Sequence, residues 1–269
     1  MDRLTALFLL AAISSGLATH ASACGVETDC VVGDRTYRMA LPEGHDTESP
    51  TGALIFAHGY RGTAADVMRN QNLIDLGKRL GVAVVALQSA ADDWALPGSP
   101  GAENKADTDE PAYVDDVISD LSTRFQLNED ELVMAGFSAG GMLTWNLACE
   151  TDSAFSGFIP LSGTFWDPIP GQCAGAPVSL VHYHGTSDTV VPIIGRKIAD
   201  TYQGDVNEAV SMMADSGGYG PGLYFSDDEL DCERRTSPDG HFLELCLFEG
   251  THQFRIADID RAWHLITGK

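Results

Sequence analysis

The chain has 269 residues, 44% hydrophobic and 20% charged, with a formal net charge of −23. That length suits one domain with a sizeable core, and the composition is that of a globular protein rather than a disordered or fibrous one. The excess of acid argues against a nucleic-acid partner or an anionic membrane surface, both of which would repel it, and reads as a solubility or salt adaptation.

Residues 1–23 read as a signal peptide rather than part of the fold. Arg3 precedes an apolar run from Leu4 to Ile13, too short to span a bilayer, and Ala21-Ser22-Ala23 supplies an A-x-A cleavage site. The expected mature protein is therefore one domain, residues 24–269, secreted to the periplasm or the medium. Cys24 also stands where a bacterial lipoprotein carries its lipid, a minor alternative because Ala21 replaces the usual leucine. Six cysteines in an exported chain form a disulfide set. Fifteen pairings are possible, and spacing favours the local bridges Cys24–Cys30, Cys149–Cys173 and Cys232–Cys246. No C-x-x-C pair points to a metal.

In chain order, residues 31–41 alternate around Gly33-Asp34 and predict a hairpin. Residues 53–57 form a short all-apolar strand of the kind buried on both faces, closed by the loop His58-Gly59-Tyr60-Arg61-Gly62. A helix follows over 64–80 with Gly81 as its stop, then a second buried strand over 82–87. Residues 92–111 are polar, rich in Gly and Pro, and carry Trp94; they predict a loop at the mouth of a site. A helix over 112–125, a strand over 131–135, a helix over 142–149, strands over 158–161 and 178–182 and a helix over 193–202 come next. A polar, Gly-rich stretch over 215–240 reads as loop. A strand over 242–248 and a helix over 256–266 end the chain. Strands alternating with helices predict a mostly parallel sheet covered on both faces, the pattern of an α/β-hydrolase fold.

The third buried strand runs into Gly136-Phe137-Ser138-Ala139-Gly140. G-x-S-x-G alone is a weak signal, but between an apolar strand and a helix it marks a nucleophile elbow. Its glycines let strand and helix approach, while the serine Oγ projects near backbone N–H groups that favour a developing anion. Serine needs a base, and the base needs an orienting acid. In this fold their order is Ser, then Asp or Glu, then His, and both partners sit in loops at the carboxyl edge of the sheet. His252 fits, following the strand that ends at Phe248. His241 begins that strand at the wrong edge, and His264 lies inside the last helix. Asp188 follows the 178–182 strand and fits as the acid, against the ordinary reading of such an Asp as a helix N-cap. His182 and His184 share one face of their strand, but no further ligand cluster accompanies them, so packing is the better account. The backbone N–H groups of Tyr60 and Ala139 are the expected oxyanion donors, with His58 structural.

These residues together resemble the bacterial poly(3-hydroxybutyrate) depolymerases and the related secreted feruloyl and acetylxylan esterases. The likeness rests on Leu41-Pro42-Glu43-Gly44, His58-Gly59-Tyr60-Arg61-Gly62, Gly136-Phe137-Ser138-Ala139-Gly140-Gly141-Met142, Gly163-Thr164-Phe165-Trp166, His184-Gly185-Thr186-Ser187-Asp188 and Gly250-Thr251-His252. It implies a triad of Ser138, Asp188 and His252 and ester hydrolysis through an acyl-enzyme with no metal or organic cofactor. The chain departs from the family at Thr251 and Gln253-Phe254, where a second glycine and a Trp or Pro are usual. Trp94 and Trp166 are candidate walls for the acyl group, whereas Phe165 suits the core equally well. The resemblance puts a short or amorphous hydroxyalkanoate polyester first as substrate, and feruloyl or acetyl esters of plant polysaccharide second.

Overall fold

The computed structural model describes residues 24–45, 50–100, 102, 107–150 and 154–269. The expected signal peptide, residues 1–23, lies outside the described residues. The strands are β1 (Cys30–Val32), β2 (Arg35–Ala40), β3 (Ala53–Ala57), β4 (Ala83–Leu87), β5 (Leu132–Phe137), β6 (Gly157–Leu161), β7 (Leu180–Gly185), β8 (Lys197–Ile198), β9 (Thr201–Tyr202), β10 (Leu223–Asp227), β11 (Leu230–Thr236) and β12 (Phe242–Phe248). The helices are α1 (Ala64–Arg69), α2 (Gln71–Leu80), α3 (Glu110–Phe125), α4 (Ala139–Cys149), α5 (Val206–Ser216) and α6 (Ile256–Thr267).

Ten strands form one sheet in the order β1-β2-β4-β3-β5-β6-β7-β12-β11-β10. The six from β4 to β12 run parallel, and antiparallel strands extend both edges. The central strands are all-apolar because each must feed two cores. On β3, Ala53, Ile55 and Ala57 join the cluster under α3, α4 and α5, while Leu54 and Phe56 join the cluster under α1, α2 and α6. This is the period-two alternation of a strand covered on both faces.

Three expectations fail, each for a local reason. The single helix over 64–80 is two helices, because Asn70 serves both: its N–H bonds Val67 O to end α1, and its side chain accepts from Leu73 N to start α2. Residues 193–202 are not helical. Gly195, at a φ of 69°, turns back to Pro192 O, and the β8–β9 hairpin pivots on Ala199 at a φ of 52°. The Gly-rich stretch expected as loop holds β10 and β11, which hairpin about Asp228 and widen the sheet.

The three disulfides pair as spacing favours. Cys232 and Cys246 are direct register partners across β11 and β12, so the bridge clips an edge hairpin to the parallel sheet. Beside it Glu244, wholly buried, is paired with Arg234 and with Arg261 at 2.7 Å, which compensates a charge too costly to bury alone. No helix among the described residues is long and apolar enough to cross a membrane.

Candidate active site

Ser138 stands between β5 and α4 at φ 58° and ψ −118°. A side chain rarely adopts this backbone, which costs on the order of 1–3 kcal/mol, so the surroundings must impose it. They do so by crowding. Ser138 N–H donates to Leu161 O at 2.9 Å, and Met142 N–H to Ser138 O at 2.9 Å. A Cβ on Gly140 would run into Ala57 O, and one on Gly136 into Gly140 O, so both positions must be glycine for helix and strands to meet. Ala139 opens α4, where the first N–H groups have no intrahelical partner.

Two loops carry the acid and the base, and backbone bonds lace them together. Thr186 N–H donates to Phe248 O at 2.9 Å and Ser187 N–H to Gly250 O at 2.8 Å. Gly185 permits this approach, since a Cβ there would meet Gly250 O at 2.6 Å. Asp188 is then 5% exposed and uses both oxygens. Oδ1 accepts from Val190 N at 2.8 Å and Val191 N at 2.9 Å, and Oδ2 lies 2.6 Å from His252 Nδ1. The next helix, α5, begins only at Val206, so Asp188 caps no helix and organises its own loop instead. The His252 ring lies against Phe137, with centroids 4.7 Å apart, which puts the imidazole beside the residue preceding Ser138. Phe254, one of the departures from the family pattern, packs on Phe56 at 5.3 Å and Phe137 at 6.0 Å and so anchors the histidine loop to the sheet.

The loop after β3 faces the elbow from the other side. A Cβ on Gly59 would lie 3.4 Å from Ser138 Cβ, so Gly59-Tyr60 passes directly over the serine. His58 holds this loop. Its Nε2 accepts from Ser89 N at 3.2 Å, so the proton on Nδ1 goes to Gly59 O at 2.8 Å. Burial pushes its pKa down, keeping the ring neutral. Trp94 does not wall the site as expected. It is fully buried behind this loop, its ring 4.9 Å from His58 and its Nε1 donating to His58 O at 2.9 Å. An indole carries enough apolar area to settle in a core even from a polar loop.

The two strand histidines form a directed chain that spacing alone did not reveal. Trp145 Nε1–H donates to His182 Nδ1 at 3.1 Å; His182 Nε2–H donates to His184 Nδ1 at 2.9 Å; His184 Nε2–H donates to Val191 O at 2.7 Å. Each ring accepts at Nδ1 and donates at Nε2, which requires both to be neutral. Burial lowers both pKa values, in His182 reinforced by its histidine neighbour. The chain ends on the Asp188 loop, with His184 Nε2 also 3.5 Å from Asp188 Oδ2.

A cleft of about 660 Å³ opens beside Ser138 and Ala139. Tyr60, Met142, Trp166, Val190, Val191 and Ile198 supply much of its wall. Trp166 lines this cleft, while Phe165 is core, packed 5.6 Å from Trp145. Arg196 and Gln203, which had no sequence signal, reach the same cleft through the β8–β9 hairpin.

Strand order, elbow and crossing loops define an α/β-hydrolase. The acetyl xylan esterase of Aspergillus awamori superposes with a TM-score of 0.63 at 14% identity, covering 87% of this chain and 95% of that one. A family model described as phospholipase/carboxylesterase matches residues 103–217. NocK of Nocardia uniformis subsp. tsuyamanensis, named an esterase, is 28% identical over 191 residues, 66% of this chain and 53% of its own length. A protein named probable feruloyl esterase C, from Aspergillus flavus, is 26% identical over 203 residues, 71% of each chain. These similarities place the chain among the carboxylic ester hydrolases.

Proposed function

We propose that this protein is an exported serine esterase acting on hydroxycinnamoyl esters of plant polysaccharide. The observation that carries the chemistry is the 2.6 Å contact between buried Asp188 and His252, laid against the strained elbow of Ser138. Ser138 Oγ attacks the ester carbonyl while His252 Nε2 takes its proton. Asp188 holds the proton on Nδ1, so that Nε2 is the free base, and stabilises the imidazolium that forms. The N–H groups of Tyr60 and Ala139 receive the oxyanion. Collapse expels the alcohol with the proton from His252, and water repeats the cycle on the acyl-enzyme.

The relatives named feruloyl esterase support this substrate over the hydroxyalkanoate polyester that the motifs put first. The cleft agrees, carrying an apolar wall of Met142, Trp166, Val191 and Ile198 and being far larger than an acetyl group fills. Export rests on the leader at residues 1–23 and on three disulfides, which persist in oxidising compartments. The Cys24–Cys30 bond occupies the sulfur that a lipid anchor would need, which supports release of residues 24–269 over anchoring.

The test sets methyl ferulate, acetylated xylan and hydroxybutyrate oligomers side by side. Wild type should prefer methyl ferulate, and Ser138→Ala should lose at least a thousandfold in turnover. Preference for the oligomers would restore the polyester reading, and activity unchanged in Ser138→Ala would end the serine mechanism.

A further inference from the structure

We infer that the cleft selects acyl groups bearing a hydroxyl at the end remote from the ester, and that the side-chain amide of Gln203 is the group that selects them. The inference rests on the esterase reading of the same cleft and adds what part of the substrate it recognises.

Gln203 lines the cleft yet is only 7% exposed, and among the described residues its Oε1 is buried without a hydrogen-bond partner. Backbone bonds hold the residue on both sides: its N–H donates to Arg196 O at 2.9 Å, and Gly204 N–H to Phe165 O at 2.8 Å and Asp167 N–H to Tyr202 O at 2.9 Å pair it with Trp166. The position is therefore held firmly while the amide at its tip stays unspent. A buried amide oxygen left unpaired is costly, and turning the amide toward a ligand group in the cleft would recover that cost.

Three other polar side chains at the cleft have partners of their own, and Tyr60 is 57% exposed at its mouth. Arg196 Nε donates to Val190 O at 2.7 Å, Asp92 pairs with Arg61 at 3.3 Å, and Asp93 Oδ1 accepts from Trp94 N at 2.9 Å. Met142, Trp166, Val191 and Ile198, also in the wall, offer a flat or extended acyl group contact area. An amide presents an oxygen that accepts and a nitrogen that donates, and a hydroxyl can answer either. A site built to bond a hydroxyl rejects the analogue lacking it more strongly than an apolar pocket distinguishes a methylene.

The test compares methyl 4-hydroxycinnamate with methyl cinnamate, in wild type and in Gln203→Met. The readout is the ratio of kcat/KM for the two esters within one preparation, which cancels any difference in the amount of folded enzyme. Wild type should favour the hydroxylated ester by about tenfold or more, and the variant should bring the ratio close to one. A wild-type ratio near one, or a ratio preserved in Gln203→Met, overturns the assignment. Hydrolysis of p-nitrophenyl acetate separates the two levels: wild type inactive on it as well sinks the esterase reading, whereas an active wild type without hydroxyl preference sinks only the role of Gln203.

Discussion

Asp188→Asn separates the two tasks that Asp188 performs. In the native loop Oδ1 accepts from the N–H groups of Val190 and Val191, while Oδ2 alone faces His252. Asparagine can keep its oxygen on the loop, which places the NH₂ group opposite His252 Nδ1. A donor there forces the imidazole to carry its proton on Nε2, the nitrogen that must accept from Ser138. A wrong tautomer of this kind costs about 10⁴ in kcat, close to 5 kcal/mol of barrier. Stability should barely change, because both loop bonds survive. Asp188→Ala removes them too and leaves two N–H groups unpaired, one of them on buried Val191. That costs about 2 kcal/mol or more, a melting temperature lower by roughly 4–8 °C. The assay is steady-state hydrolysis of p-nitrophenyl butyrate beside thermal melting, for wild type and both variants. Asp188→Asn retaining more than about a tenth of wild-type kcat would refute the tautomer argument. An Asn variant melting as low as the Ala variant would refute the division of the two oxygens.

Gly140→Ala should destabilise the protein by about 1–3 kcal/mol and lower turnover, because its Cβ would displace the Ala57 carbonyl beneath the elbow. Gly171→Ala, with nothing within 4 Å and no positive φ, should melt as wild type does, and equal melting of the two variants would contradict the packing account. Acid should weaken the fold through the buried histidines. His58, His182 and His184 have folded pKa values below the ordinary 6.5, so as pH falls through 6.5 the unfolded chain binds protons that the folded one refuses. Their contribution is complete above about pH 7 and is lost on acidification, by up to about 1.4 kcal/mol per pH unit for each ring. Calorimetry between pH 7.5 and 5 should show the melting temperature falling, and a flat profile would mean that these rings charge freely in the native state.

Much of the proposed site is legible in sequence because each of its positions is tied to the end of a strand whose faces are both buried. Residues 53–57, 131–135, 178–182 and 242–248 read as strands, and the loop leaving each must lie at one edge of the sheet. Chain order then selects Asp188 and His252. Exposure is not written in the same way. Trp94 sits among acidic and small residues and reads as a wall at the site mouth, yet its indole fills the space behind His58. The Trp145–His182–His184 chain joins a helix to a strand through side chains 37 residues apart, which no local pattern encodes. Local turns mislead in the opposite direction: apolar spacing over 193–202 matches a helix, but Gly195 and Ala199 bend the chain into a hairpin.

That hairpin ties specificity to catalysis. One segment leaves β7, places Asp188 against His252, sends Val190 and Val191 to the cleft wall, and returns through β8 and β9 with Ile198 and Gln203 on the same cleft. The histidine chain braces its start, through His184 on Val191 O, and the bridge from Gln203 to Trp166 braces its end. A helix over 193–202 would carry its residues along one axis, whereas a two-stranded hairpin folds the far residue back beside the first. Lengthening or shortening the hairpin would therefore move the acyl wall while both ends stay clamped. The acid can stay fixed while the pocket changes, because the two are separated by Pro192 and the turn at Gly195 rather than by a rigid helix. On the proposed reading the acyl preference belongs to residues 190–203, and the elbow fixes only that the reaction is acyl transfer.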